Sequence, residues 1–598
     1  MAKKRGGRPP ASKPVRVGRS ALERQYLTAA DVAPIVPEEQ FVLRQLSRIP
    51  VERALEWCAR MLAPQVGAAW PQHQREEARA WFSGQSAASE ALRLVESGER
   101  ELVAPQVLLE LARLAVLHCC PSVPGAKESQ EVLGRYVVGM RSAMLVLAHH
   151  TGWRRRLADE LRRLPDGRLP LGGVEVTGLE RELAANLMLN HRPYAASAFD
   201  RSQRRWIELP QEQVGGSNTV DLQAEYAAAT GVPLEDVRTI GLVLYAAVLN
   251  GNPRTDAGYL DDLGMDRPRR DRALALFSAT PTELAATARK AKTASLGAEY
   301  DLTLFGERPV VRLGDESLLV VAPQLLLHRT IGWLPYWDLV NGLKALGSGG
   351  RRRAAQADTY LRKTTEAHAI ETLKHLSSAG RLPGQMYGEQ AIQDAFGTKE
   401  PNADCAIEWP RAWVVAEISS RTVTQETASG GAGLLQDIEL GVVEKARQLD
   451  GTIRALRVNE QALTGGRAHG GRRKFLPVLV TTEGFPLHPI ITARLRRMVA
   501  AAGYLQASDT APLVVLDVEA LEAAEALAER GGPALPKLLQ DHARSSMRDY
   551  GFREWLILQR GARRAPKRVM QRWDRVFEPI LISLLAPDSQ ESVEDPSG

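Results

Sequence analysis

Two acids thirteen residues apart, Asp404 and Glu417, have types and spacing that could do chemistry. They sit in residues 401–449, PNADCAIEWPRAWVVAEISSRTVTQETASGGAGLLQDIELGVVEKARQL. ADCAIEW and WVVAEIS are apolar, β-prone runs, and Pro410-Arg411 between them supplies a turn. A hairpin centred on that turn sets Glu408 opposite Trp413, Ala406 opposite Val415 and Asp404 opposite Glu417. Directly opposed residues hold their Cβ atoms roughly 5 Å apart, where like charges destabilise the pair. Two carboxylates in that relation need a cation between them, and a hard divalent ion such as Mg²⁺ takes oxygen ligands of this kind.

The elements around the hairpin must position these acids. TYLRKTTEAHAIETLKHLSS reads as a helix; at about 100° per residue Glu366 falls between Ile370 and Leu373, while Glu371 points away from that stripe. An acid inside an apolar stripe makes Glu366 a third candidate. GQMYGEQAI reads as a first strand, ahead of the hairpin. LLQDIELGVVEKARQL then forms a helix with the stripe Leu435, Ile438, Val442 and Leu449, and Lys445 at its edge can snorkel toward the sheet. FLPVLVTTE is a buried strand, HPIITARLRRMVAAAG a basic helix and PLVVLDVE another strand. The order over residues 358–525 is therefore α-β-β-β-α-β-α-β.

An Asp, a hairpin turn and a Glu on the returning strand, within that order of elements, resemble the metal-binding core of the PD-(D/E)xK nuclease superfamily. The likeness rests on Asp404 and Glu417-Ile418-Ser419; Ser419 stands where the family has Lys, and Pro401 lies three residues before the Asp. The resemblance implies a restriction-endonuclease-like core in which Asp404, Glu417 and the Ile418 carbonyl hold Mg²⁺ or Mn²⁺. It also implies an acid from the first helix, Glu366, and a relocated cation, Lys445, in place of Ser419. The expected activity is metal-dependent hydrolysis of DNA, in the family's habitual setting of defence or mobile elements. An alternative stands beside it: a degenerate, inactive nuclease-like module that binds DNA or a protein partner.

The 598 residues exceed one ordinary core. Hydrophobic content of 44% and charged content of 25% are those of a globular chain, and no apolar run is long enough to cross a bilayer. Cys58, Cys119, Cys120 and Cys405 show no metal-ligand spacing and read as reduced thiols, pointing to the cytoplasm. A net charge of +6 suits a polyanionic partner.

The fold class expected is a multidomain α/β chain. Residues 1–22 form a basic tail; 23–295 are helical; 296–346 hold a short hairpin and helix. Residues 347–526 form the nuclease-like core, entered through a flexible basic linker, LGSGGRRR; 527–598 make a basic helical extension with an acidic tail. LQAEYAAATGVPLEDV within the helical half has helix-turn-helix spacing, but the second helix is too apolar and too acidic at its start to read DNA. The candidate nucleic-acid contacts are instead Arg467, Arg472, Arg473 and Lys474 in one cluster and Arg563, Arg564, Lys567 and Arg568 in the other.

Overall fold

Apolar residues three and four apart make the first part of the chain helical, as α1 (Gln40–Leu46), α2 (Val51–Leu62), α3 (Trp70–Phe82), α4 (Ser89–Glu96), α5 (Pro105–His118) and α6 (Gln130–His150). Their inner faces meet around Leu55, Leu108, Leu111 and Met140. The computed structural model describes residues 25–38, 40–66, 70–84, 88–122, 128–150, 194–212, 219–290, 303–397, 402–420, 434–466, 473–481 and 489–585. Two short strands, β1 (Gln25–Tyr26) and β2 (Arg100–Glu101), pair in parallel beside this bundle.

A second helical core follows, built from α7 (Ala195–Gln203), α8 (Leu222–Thr230), α9 (Leu234–Leu249) and α10 (Pro335–Ala345). The π-helical turn Arg204–Glu208 directly continues α7. Gly231, with φ of 74°, ends α8 and turns the chain into α9. Val237, Ile240, Leu244 and Val248 of α9 are buried, and Asp236 is held by Arg269, so most of this helix is core. The hairpin expected near 310–320 forms as β5 (Val310–Arg312) and β6 (Leu318–Val320). It is not a separate segment: β3 (Arg254–Thr255) and β4 (Ser278–Ala279) join it in the order β3-β6-β5-β4.

The basic stretch 346–353 also departs from expectation. It opens α11 (Ser348–Ser378), a helix of 31 residues, instead of forming a flexible linker. Glycines lower helix propensity, yet Gly350 is needed here: a Cβ on it would collide with the Leu343 carbonyl oxygen of α10. Close packing overrides the local preference. Ala354, Ala357 and Leu361 of α11 belong to the second helical core, while Ala369, Leu373 and Leu376 belong to the sheet's core. One rigid helix thus runs through both.

The remaining elements are β7 (Gln385–Gly388), α12 (Glu389–Phe396), β8 (Cys405–Trp409), β9 (Ala412–Ser419), α13 (Leu434–Thr464), β10 (Lys474–Thr481), α14 (Pro489–Ala501), β11 (Val514–Asp517), α15 (Val518–Glu529), α16 (Leu535–Arg544), α17 (Phe552–Arg560) and α18 (Lys567–Leu585). Helix α13 is interrupted by non-helical backbone at Asn459. The strands form a mixed sheet ordered β11-β10-β9-β8-β7; β7, β8 and β9 are antiparallel neighbours, and β10 runs parallel to both β9 and β11. Alternation along β9 sends Ala412, Val414, Ala416 and Ile418 to a core shared with α11 and α15, and Trp413 and Val415 to a core shared with α13. The sheet is therefore sandwiched between helices. GQMYGEQAI, expected as a strand throughout, breaks after Gly388 into α12, which adds a helix before the hairpin.

Candidate metal-binding acid and lysine cluster

The site grows from the hairpin register. Glu408 pairs with Trp413, Ala406 with Val415 and Cys405 with Ala416, so the next position outward sets Asp404 against Glu417. Each carboxylate is fixed by the other's strand. The Asp404 N–H donates to Glu417 Oε2 at 3.1 Å, and the Ile418 N–H donates to Asp404 Oδ2 at 2.6 Å. Glu417 is 0% exposed and Asp404 half-buried.

Helix α13 lays Val442, Ala446 and Leu449 on the face of the sheet that carries Trp413 and Val415. Lys445 at the edge of that stripe reaches down, and its Nζ donates to Glu417 Oε1. Ser419 follows Glu417 by two residues, hence on the same face, at the last position of β9. One residue further, the Ser420 hydroxyl donates to Glu366 Oε1 of α11 at 2.7 Å. The structure thus gathers Asp404, Glu417, Ile418, Lys445 and Glu366 at the carboxyl end of β9, where β9 and β10 run parallel. Ligands of open sheets containing parallel strands bind at such ends.

The electrostatics are those of a site short of positive charge. Burial, then Asp404, raises the Glu417 carboxyl to about 8. Burial also raises Asp404, with Glu366 and Glu389 adding repulsion against the pull of Lys445. Burial works to lower Lys445, but Glu417 and Asp404 outweigh it and hold the ammonium above its usual range. Glu389, the first residue of α12, was missed in the sequence because GQMYGEQAI reads as uninterrupted strand; the Gly388-Glu389 step, a helix start with an acid in its first turn, was the available signal. Asp404 and Glu417 are two carboxylates of the kind a hard divalent cation binds, with Glu366 and Glu389 near enough to act on Asp404 by charge.

The basic clusters divide. Lys474, Arg563, Arg564 and Lys567 are exposed. Arg473 and Arg568 are not surface cations as expected. Arg473 is buried against Glu408 (2.8 Å) and lies over the Trp413 ring at 5.4 Å. Arg568 bonds Glu525 (2.9 Å) and Asp200 (3.4 Å). Each has a nearby buried acid that must be neutralised, and that demand outweighs solvation of the guanidinium. Arg467 and Arg472 lie outside the described residues, as do the basic N-terminal tail and the acidic C-terminal tail.

A second acidic group is buried between the halves. Asp200, His368 and Glu522 bring one possible ligand atom each within 4.8 Å of one another, which could hold a metal ion. Their partners are arginines: Asp200 takes Arg568 and Arg572, and Glu522 takes Arg201 at 2.8 Å. Burial and the neighbouring Arg568 push His368 down to about 3, so its imidazole is neutral. Charge there is already balanced by guanidinium groups, unlike the Asp404–Glu417 pair.

No family model, curated protein or solved structure matches the chain.

Proposed function

We propose that the protein is a metal-dependent phosphodiester hydrolase acting on nucleic acid, with DNA as the expected substrate. The observation that carries this is Lys445 Nζ on Glu417, directly across a hairpin from Asp404. Acid, acid and lysine then meet without a lysine at position 419. Further support comes from three antiparallel strands extended by two parallel ones, flanked by α11 and α13, an arrangement similar to the PD-(D/E)xK core.

Asp404 and Glu417, with the Ile418 carbonyl, would hold Mg²⁺ or Mn²⁺, and Glu366 would complete the acidic set from α11. The ion, when bound, polarises the scissile phosphate and lowers the pKa of a water. The protein's own contribution is positional. Reciprocal N–H bonds lock both carboxylates, and Lys445 favours the ionised form of Glu417 against its burial. An ammonium has three N–H donors; one is spent on Glu417, leaving two for a phosphate oxygen or the attacking water. Hydrolysis adds that water to phosphorus while the ester P–O bond breaks and the leaving oxygen takes up a proton. The test is a panel of end-labelled single- and double-stranded DNA and RNA, incubated with Mg²⁺ or with EDTA. Cleavage of at least one substrate that EDTA abolishes is expected; intact substrates throughout would refute the proposal.

A further inference from the structure

Helix α11 outruns the sheet on which it packs. Ala369, Leu373 and Leu376 lie in the sheet's core, while Ala354, Ala357 and Leu361 lie in the second helical core. Between them Glu366 accepts the hydroxyl of Ser420, the residue that follows the end of β9. The half of α11 before Glu366 therefore extends past the end of the hairpin that carries Asp404 and Glu417.

At about 100° per residue, helix positions eighteen apart coincide in direction. Arg351 thus points as Ala369 does, and Ala355 as Leu373 does. The side of α11 that is buried on the sheet after Glu366 is exposed before it, at Arg351, Ala355 and Arg362. Arg352, Thr359 and Lys363 are also exposed, and they share with these an arc of about 120° that contains Glu366. Lys363 stands about 4.5 Å along the axis from Glu366, and Arg352 about 21 Å. Ala355 and Thr359 between the two have short side chains, which lets a polymer lie close to the helix.

The charge on this arc is not used up within the fold. Arg362 bonds Asp358 at 2.9 Å and Arg353 bonds Glu225 at 2.9 Å, so neither counts toward a surplus. Arg351, Arg352 and Lys363 have no side-chain partner among the described residues. Glu371, further along α11, is taken by Arg204. Arg351 and Arg352 also stand near the amino end of a helix with no acid in its first turn, where the helix dipole disfavours cations. Local stability does not explain them, whereas a polyanion lying along the helix does. We infer that this exposed half of α11 is a shelf for the nucleic-acid backbone, leading to the acid cluster. Lys363 meets a phosphate close to the cut, and Arg351 and Arg352 meet the backbone about six base pairs further along a duplex, at 3.4 Å per base pair. The inference rests on the hydrolase reading for the position of the cut, and not for the binding itself.

A fluorescently labelled DNA duplex of about 24 base pairs, longer than the shelf, is the probe. Its binding to the full-length protein is followed by anisotropy in EDTA, from about 50 to 200 mM salt. Arg351→Gln/Arg352→Gln/Lys363→Gln should make the slope of log K against log salt shallower by about two to three, and weaken binding about tenfold or more at the low-salt end. Its melting temperature should be no lower than that of the wild type. Arg351→Lys/Arg352→Lys/Lys363→Arg, which keeps every charge, should keep the slope. Arg44→Gln/Arg48→Gln removes two exposed charges from α1 and should leave the slope unchanged. A neutral triple variant that binds as the wild type does would overturn the shelf, and so would an equal loss in the α1 variant or in the charge-keeping one. A wild type that does not bind the duplex would overturn it too. Plasmid cleavage in Mg²⁺ keeps the two readings apart. Cleavage by the wild type, with no effect of the neutral triple variant on binding, leaves the hydrolase standing without the shelf. A flattened slope with no cleavage supports the shelf and counts against the hydrolase.

Discussion

In the proposed hydrolase, Glu417 and Lys445 are the residues on which the chemistry would turn. Lys445→Ala should reduce cleavage by on the order of 10²–10⁴-fold while leaving nucleic-acid affinity nearly unchanged, because affinity would rest on other cations. Ser419 shares the Glu417 face, so Ser419→Lys in the Lys445→Ala background should return part of the activity; single-turnover rates on one substrate measure both effects. A stability prediction follows from the Glu417 carboxyl, raised from an ordinary 4.5 to about 8. Between those values the folded protein keeps a proton that the unfolded chain has released, so stability falls as pH rises through that window. Without metal, Glu417→Gln should therefore melt at a higher temperature than the wild type at pH 9, with the gap closing toward pH 6. Added Ca²⁺ should raise the melting temperature of the wild type alone. A variant less stable than wild type at pH 9 would mean that the ion pair with Lys445 dominates the burial of Glu417.

At the level of elements, the hairpin was legible because its two strands and Pro-Arg turn centre one register, and a slip by one residue would exchange the side chains that meet the two cores. Lys445 was legible for a similar reason: a helix with a clear apolar stripe places its edge residues. Glu389 and the helical start of 346–353 were not, since glycines and mixed polarity speak locally for strand and linker. Only the close approach of Gly350 to the Leu343 carbonyl of the preceding helix decides the matter. Gly350→Ala should accordingly destabilise the protein by roughly 1–3 kcal/mol despite alanine's better helix propensity, read by thermal or denaturant unfolding. The inward turn of Arg473 and Arg568 was equally hidden, because their acidic partners lie far away in sequence, Glu408 65 residues from Arg473 and Asp200 368 residues from Arg568.

On the scale of the whole molecule, the two halves are joined by α11 and by buried ion pairs. Arg201 bonds Glu519 at 2.5 Å and Glu522 at 2.8 Å, all three nearly without exposure. Arg201→Met would remove the cation that both buried acids share, leaving Arg553 on Glu519 at 3.2 Å, and should cost about 3–5 kcal/mol; limited proteolysis should then open the chain between the helical half and the sheet. Nucleic-acid binding is expected to weaken steeply with salt. Neutral replacement of the exposed Lys474, Arg563, Arg564 and Lys567 should flatten that slope by about one for each phosphate no longer neutralised, whereas an unchanged slope would leave these residues as solvated surface. Among the described residues no helix is long and apolar enough to cross a membrane. The central claim, that Asp404 and Glu417 form a hydrolytic metal site, is tested most directly by incubating supercoiled plasmid and Mg²⁺ with the wild type, Asp404→Asn and Glu417→Gln. Nicked or linear plasmid with the wild type, abolished by EDTA and reduced at least about 100-fold by either variant, is the predicted result. Cleavage that persists in both variants, or plasmid left intact by the wild type in Mg²⁺ and in Mn²⁺, would contradict it.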